Sequence, residues 1–475
     1  MSPGPVPGAP APQESGSAKG SSHQQVTRLV AAGQEASRLG CFGEAERHFR
    51  QALDVDPAMR TARRNLARLL VRTGRTNQSL DLWRAEWDSG TEGRTWMQDL
   101  VTTALGHRML SLAGEYAAIV AQLRWGTGVL PLAPGAPADE KTWQSPSHPL
   151  SVPKMRHDIG QFEYLLRERV VGDEFEGVVS RYRNVLSRLL SQDPDARIPL
   201  ASDEYRSIRD VYNRLVHVRE TPRAPRALSG MWDAESIQDV YLDHPPGVVC
   251  VDDFLSDEAL AELRLFCLES TIWSTNRYAH GRLGSFFQDG FNCPLLLQIA
   301  EELQSALPRV IGDRYPLRQL WGFKSGPTLP ADATTHADFA AVNVNFWITP
   351  EAANLDPSSG GLVVYDVDAP MHWDFATYNG RSDVIRPFLK QQESRAMVIP
   401  YRQNRAVIFN SDLFHGTDRV VFAEGYENLR VNITFLYGDR EKDADHRNLA
   451  RGELSCPPAY PGAWRSAAFA RARSS

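Results

Sequence analysis

Six short apolar runs, LRQLWGFK, AVNVNFWIT, GLVVYDV, AMVIPY, RAVIFN and LRVNITFLYG, follow one another between Leu317 and Gly438. Turn-rich segments separate them, with few helical signals in between. Runs of this length in succession predict an antiparallel β-sandwich or barrel. The half before Trp232 has the opposite texture, with apolar residues at helical spacing. The chain therefore reads as a multidomain α + β protein: helices first, a β-domain second.

The helical half contains a repeat. In GCFGEAERHFRQALDVDP, small residues at Gly40, Ala45 and Ala52 alternate with Phe42 and Phe49, as two antiparallel helices in close approach require. Gly74, Ser79 and Trp83 occupy equivalent places 34 residues on. This resembles tetratricopeptide repeats. A third segment, GEYAAIVAQL from Gly114, falls six residues out of phase and counts only as another helix pair. Few repeats bury little by themselves, so they are expected to dock on neighbouring helices. Their concave surface would suit a peptide, a protein or a carrier domain; dimerisation is the other use.

The expected divisions are a disordered Pro/Gly/Ser-rich tail over 1–25, repeats over 26–125, and a Pro-rich linker with a helical bridge over 126–230. A β-domain spans 231–440 and a polar Arg/Ala-rich tail 441–475. Ser256 is an expected helix N-cap, with Asp257 and Glu258 in the favourable first turn, and Pro294 an expected first-turn proline.

Lysines and arginines number 52 against 58 acidic residues, a net charge of −6, which argues against a broad nucleic-acid surface. Only six of the 52 are lysines, so one in an apolar strand such as Lys324 stands out. The five cysteines are widely spaced without a CxxC pair, against a disulfide framework or thiolate zinc site. No segment reads as a signal peptide or membrane span, which suits a cytoplasmic protein.

The chemistry concentrates in TTHADFAAVNVNFWITP and RAVIFNSDLFHGTD. His336 and Asp338 form an H-x-D pair, and on an extended backbone residues i and i+2 point the same way. His415 stands well downstream, just past the apolar run RAVIFN. Two imidazoles and one carboxylate make a facial triad that leaves adjacent positions open on Fe(II). Arg430 lies beyond His415 on LRVNITFLYG, where Arg430, Asn432 and Thr434 alternate with Val431, Ile433 and Phe435. A guanidinium fork there suits a carboxylate. Two other pairs have bland readings: His157-Asp158 as a solvated or locally hydrogen-bonded pair, and His372-Trp373-Asp374 as a decoy or substrate-loop element.

VVCVDDFLSDEALAELR, HADF, SSGGLVVYD, AVIFNSDLFHGTD and the arginine strand occur in the order found in the Fe(II)/2-oxoglutarate-dependent oxygenases. The stretch from Gly247 to Tyr437 resembles that superfamily. The resemblance implies a double-stranded β-helix, or jelly roll, with Fe(II) on His336, Asp338 and His415. It implies 2-oxoglutarate and O2 as co-substrates, with the distal carboxylate on Arg430. Asn343 and Asn345 would face inward, one of them bonding the co-substrate; Trp321 or Lys324 would line the pocket. Where the family often has serine or threonine two residues after the arginine, this chain has Asn432, which makes Lys324 the reserve carboxylate partner. The implied reaction decarboxylates 2-oxoglutarate to succinate and CO2 and hydroxylates a C–H bond. The substrate would be a peptide, protein or carrier-bound group, or a free small molecule such as an amino acid or a secondary-metabolite intermediate. The competing reading is a non-catalytic repeat scaffold with a degenerate jelly roll.

Overall fold

The structure is a computed structural model that describes residues 16–88, 93–126, 149–190, 203–331 and 335–440. It divides into two compact units, one reaching to Thr103 and the other beginning at Ala104. The expected strap over 127–148, the expected C-terminal tail and the part of the expected N-terminal tail before Gly16 lie outside the described residues.

The first unit is helical: α1 (Gly16–Arg38), α2 (Phe42–Val55), α3 (Arg60–Arg72) and α4 (Thr76–Asp88), with α5 (Gly93–Gly106) crossing the division. Helix α1 starts inside the segment expected to be a disordered tail. Val26 and Val30 bury against Ala52 and Ala62, and a helix anchored there propagates upstream cheaply. Phe49 packs among Ala36, Ala45, Leu66, Leu69 and Leu70, the wedge role its spacing predicts.

The 34-residue spacing extends further than the sequence suggests, as a spacing of helix ends and starts. Gly40 (φ 78°) and Gly74 (φ 75°) terminate helices in the left-handed region. Arg108, one further period along the chain, takes the same conformation at φ 60°, just ahead of α6 (Leu110–Trp125). Helices α2, α4 and α6 thus begin at equal intervals, at Phe42, Thr76 and Leu110, and Ala113 and Ala117 are buried at the places of Ser79 and Trp83. The offset read from Gly114 is corrected. That glycine serves packing within the second unit, where an added Cβ would lie 2.9 Å from Leu297.

The second unit continues with α7 (Val152–Arg167), α8 (Phe175–Leu189), α9 (Asp203–Ile208) and α10 (Ala234–Asp243). Helices α7 and α8 share an apolar core in which Phe162 meets Phe175 and Tyr182. Then come β1 (Val248–Val251), α11 (Asp257–Glu269), β2 (Leu283–Phe286), α12 (Pro294–Ala306) and β3 (Leu317–Ser325). The remaining elements are β4 (Thr328–Leu329), β5 (Val342–Trp347), β6 (Leu362–Asp368), α13 (Phe375–Gly380), α14 (Ser382–Gln391), β7 (Ala396–Ile399), β8 (Ala406–Asn410), β9 (Leu413–Thr417), β10 (Val420–Val421) and β11 (Arg430–Tyr437). Ser256 caps α11 by accepting from the Ala259 amide, and Pro294 opens α12, both as expected.

The strands form an antiparallel six-stranded sheet, β1-β8-β5-β11-β3-β2, and smaller β7-β6-β9 and β10-β4 sheets. Residues of both layers, among them Trp347, Val407 and Phe409 from the large sheet and Leu362, Val364 and Leu413 from the small one, share one buried cluster. Register fixes the faces. Trp321 pairs with Thr434 and Thr434 with Asn345; Phe323 pairs with Asn432 and Asn432 with Trp347. These side chains look into the sandwich. The alternate set, including Lys324 paired with Val431, looks the other way. On that side Phe346 packs on Phe254, and Tyr437 donates to the Ala300 carbonyl of α12. Among the described residues, no helix is long and apolar enough to cross a membrane.

Candidate metal centre

His336 pairs with His415 of β9 across an isolated antiparallel bridge, with amide-to-carbonyl bonds of 2.9 and 2.8 Å in the two directions. The extended backbone turns Asp338 to the same side as His336. Ala337 between them turns away, into a cluster with Ala369, Tyr378, Ile385 and Phe414. The possible ligand atoms of His336, Asp338 and His415 all lie within 4.8 Å of one another. His336 Nε2 is 3.7 Å from Asp338 Oδ1, and His415 Nε2 is 3.4 Å from Asp338 Oδ2. Asp338 and His415 are buried, whereas His336 keeps 27% of its side-chain exposure, so the cluster opens on that side.

Surrounding groups fix these side chains. His415 Nδ1 donates to the Leu413 carbonyl at 2.9 Å, so Nε2 is the ring nitrogen turned to the cluster. Phe409 packs edge-on against the same ring, centroids 4.8 Å apart. Asn343 Nδ2 donates to Asp338 Oδ2 at 2.8 Å, and Asn345 Nδ2 donates to Asn343 Oδ1 at 2.7 Å. Asn345 Oδ1 in turn accepts from Thr434 Oγ1 at 2.5 Å and Asn432 Nδ2 at 3.0 Å. Burial alone would raise the Asp338 carboxyl, but the bond with His415, the charges of both imidazoles and the Asn343 amide hold it below the usual range. The two asparagines expected to face inward do so, as links in a chain that ends on the carboxylate. Asn432 is part of that chain.

Arg430 is 2% exposed. Its Nε donates to the Gly360 carbonyl at 2.6 Å and its Nη2 to the Gly361 carbonyl at 3.1 Å. Its guanidinium lies 5.5 Å from the Trp347 ring centroid and 6.0 Å from that of Tyr401. Burial lowers it to about 10, so it stays charged at neutral pH. Trp321 is half-buried on the same sheet face.

Lys324 does not join this face, a correction to its reading as a pocket residue. Parity on β3 sends its ammonium to the helical side, 2.7 Å from Tyr426 Oη and 3.5 Å from His157 Nε2, with the Trp273 ring 4.6 Å away. His157 Nδ1 lies 2.9 Å from Asp158 Oδ1, and Lys154 Nζ is 2.6 Å from Asp158 Oδ2. The His157-Asp158 pair is thus locally hydrogen-bonded as expected, but buried rather than solvated. His372 is exposed and outside the ligand cluster, while Asp374 caps α13 through the Thr377 amide. The Leu413 carbonyl and the Gly360 and Gly361 carbonyls have roles that side-chain reasoning missed; the glycine pair of SSGGLVVYD was the one available signal.

No protein-family model and no curated protein matches the chain. Solved structures similar to it include the non-heme alpha ketoglutarate dependent carbocyclase SnoK from nogalamycin biosynthesis, at 14% identity over 48% of this chain and 94% of that one, TM-score 0.30. Another is the epimerase SnoN in complex with Fe3+, alpha ketoglutarate and nogalamycin RO, at 15% identity over 43% of this chain and 83% of that one, TM-score 0.31. A third is an oxidoreductase of the 2OG-Fe(II) oxygenase family from Burkholderia pseudomallei, at 10% identity over 47% of this chain and 97% of that one, TM-score 0.26.

Proposed function

We propose that this chain is an Fe(II)- and 2-oxoglutarate-dependent dioxygenase that hydroxylates a C–H bond and releases succinate and CO2. The carrying observation is the convergence of His336, Asp338 and His415, their ligand atoms within 4.8 Å of one another. The donor set fits the ion: two imidazoles and one carboxylate suit Fe(II) and leave positions for co-substrates. Iron bound there would supply O2 activation and the oxidative decarboxylation of 2-oxoglutarate.

The chain's own residues do the rest. His415 presents Nε2 because Leu413 holds Nδ1, and Asp338 stays ionised and oriented by Asn343. Arg430 would receive the distal carboxylate of 2-oxoglutarate, exchanging neutral carbonyl partners for an anion in a dry setting of Trp347 and Tyr401. The facing antiparallel sheets support the jelly-roll reading.

Anaerobic addition of Fe(II) and 2-oxoglutarate tests this. A weak visible charge-transfer band of one iron per chain is expected, absent in His336→Ala. Absence of the band from the unaltered protein would favour the scaffold reading. Of the two substrate classes left open by the sequence, the half-buried aromatic residues of β2 and β3 favour a small molecule.

A further inference from the structure

Strand β3 is unevenly covered. Leu320, Gly322 and Lys324, facing the helices, are buried; Gln319, Trp321 and Phe323, facing the sandwich interior, are only half-buried. Phe286 on β2, in register with Trp321, is half-buried too. The rings form a continuous edge-to-face wall: Phe286–Trp321 at 5.6 Å, Phe286–Phe323 at 6.1 Å, Trp321–Phe323 at 6.5 Å and Tyr278–Phe323 at 4.8 Å between centroids. Gly284 makes room for it, since an added Cβ would lie 2.9 Å from Phe323 and 3.3 Å from Tyr278. A contiguous apolar surface with a few placed polar groups is the usual lining of a ligand site.

Charge completes the picture. Leu283 pairs with Lys324, which sets Arg282 opposite Ser325, and Ser325 pairs with Arg430. Arg282, Ser325 and Arg430 thus form one cross-strand row, the two arginines about 10 Å apart at the backbone by strand spacing. The Arg282 guanidinium lies 5.5 Å from the Tyr278 ring and 5.6 Å from the Phe323 ring, and its Nε is buried without a hydrogen-bond partner. Among the described residues neither arginine lies within ion-pair distance of a carboxylate; the two guanidiniums share an interior row, and the Asp418 carboxylate acts on Arg430 only from further off. The wall is continuous with the metal centre: Phe323 pairs with Asn432, from which the amide chain runs through Asn345 and Asn343 to Asp338.

We propose that this face is the substrate site and that the substrate is a compact molecule joining a planar ring system to a carboxylate, the ring on the Trp321–Phe323–Phe286 wall and the carboxylate on Arg282. The assignment rests on the oxygenase reading and specifies its substrate class. Arg282 acts by binding, so it sets specificity rather than chemistry.

The test uses 2-naphthoate and its neutral analogue methyl 2-naphthoate as probes of the full chain, read by quenching of tryptophan fluorescence with and without 2-oxoglutarate. Saturable 2-naphthoate binding that survives 2-oxoglutarate is expected, with the ester at least about tenfold weaker. Arg282→Gln should abolish that preference while leaving ester binding unchanged, Arg282→Lys should restore much of it, and Phe323→Leu should weaken both probes. No saturable binding, binding indifferent to Arg282→Gln, or displacement of the probe by 2-oxoglutarate would overturn the assignment. The charge-transfer titration, run on the same samples, separates the two failures: a normal band with no probe binding defeats the substrate site alone, and probe binding with no band defeats the oxygenase reading alone.

Discussion

His336 and His415 are hydrogen-bonded cross-strand partners, joined by amide-to-carbonyl bonds of 2.9 and 2.8 Å, and their ring centroids lie 4.6 Å apart. The ladder itself therefore sets the separation of the two imidazoles, and the placing of the Asp338 carboxylate beside them follows from the pleat. Alanine at His336, Asp338 or His415 is expected to remove stoichiometric Fe(II) binding, measured as metal retained after anaerobic desalting. His372→Ala should keep it, because His372 lies outside the cluster. Loss of metal in His372→Ala would reverse the assignment.

Asn343 holds Asp338 by a bond of 2.8 Å and is itself held by Asn345. Outer-shell partners of this kind tune metal affinity by about 10–100-fold. Asn343→Leu should weaken Fe(II) binding by an amount in that range, read by competition with a chelator, while the ligand residues remain. An unchanged affinity would make the amide chain a packing feature only.

What the sequence made legible was what depends on local period. The parity of H-x-D, the cap at Ser256, the first-turn Pro294 and the six apolar runs all follow from spacing, and each stands in the structure. Strand β9 was missed because Ser411, Asp412 and Gly416 are turn-forming types; its strand character comes from pairing with β6. Lys324 was misplaced for a related reason. Counting along β3 puts Lys324 on the face opposite Trp321, but which of the two faces looks into the sandwich is set by the pairing with β11, Lys324–Val431 and Trp321–Thr434, a non-local fact. The phase of the third helix pair was hidden because an arginine, not a glycine, takes the left-handed conformation at 108.

Arg430 and Lys324 can be separated by one experiment. Arg430→Gln should raise the dissociation constant for 2-oxoglutarate at least about tenfold, as expected for loss of a charged hydrogen-bond donor. Lys324→Met should leave it unchanged, since that amine lies on the helical side against Tyr426. Calorimetric titration of 2-oxoglutarate into the iron-loaded protein decides between them, and a reversed pattern would restore Lys324 as the carboxylate partner.

Gly361 accepts from Arg430 through its carbonyl, and a Cβ there would sit 1.9 Å from the Ile399 carbonyl oxygen on β7. Backbone cannot step aside as a flexible side chain can, so Gly361→Ala should destabilise the protein by about 1–3 kcal/mol or more. Gly326→Ala, where nothing lies within 4 Å, is the matched control and should stay within about 0.5 kcal/mol. Urea unfolding of the two variants is the comparison, and equal midpoints would contradict the packing drawn for Gly361.

His157 gives a pH dependence with a definite sign. Burial, joined by the nearby charges of Lys324 and Lys154, lowers its ring from the ordinary 6.5 to about 3 against the bond to Asp158. The folded protein thus holds the ring neutral, and below pH 6.5 the unfolded chain binds a proton that the folded one refuses. The stabilising contribution is full above about 6.5 and is lost as pH falls from there toward 3, with a slope of at most about 1.4 kcal/mol per pH unit for one proton. His157→Gln should flatten that part of the profile between about pH 6.5 and 4.5, above the range in which most carboxylates titrate. Urea midpoints of the unaltered protein and the variant at four pH values would show it; parallel profiles would mean that the ring is not held neutral in the fold.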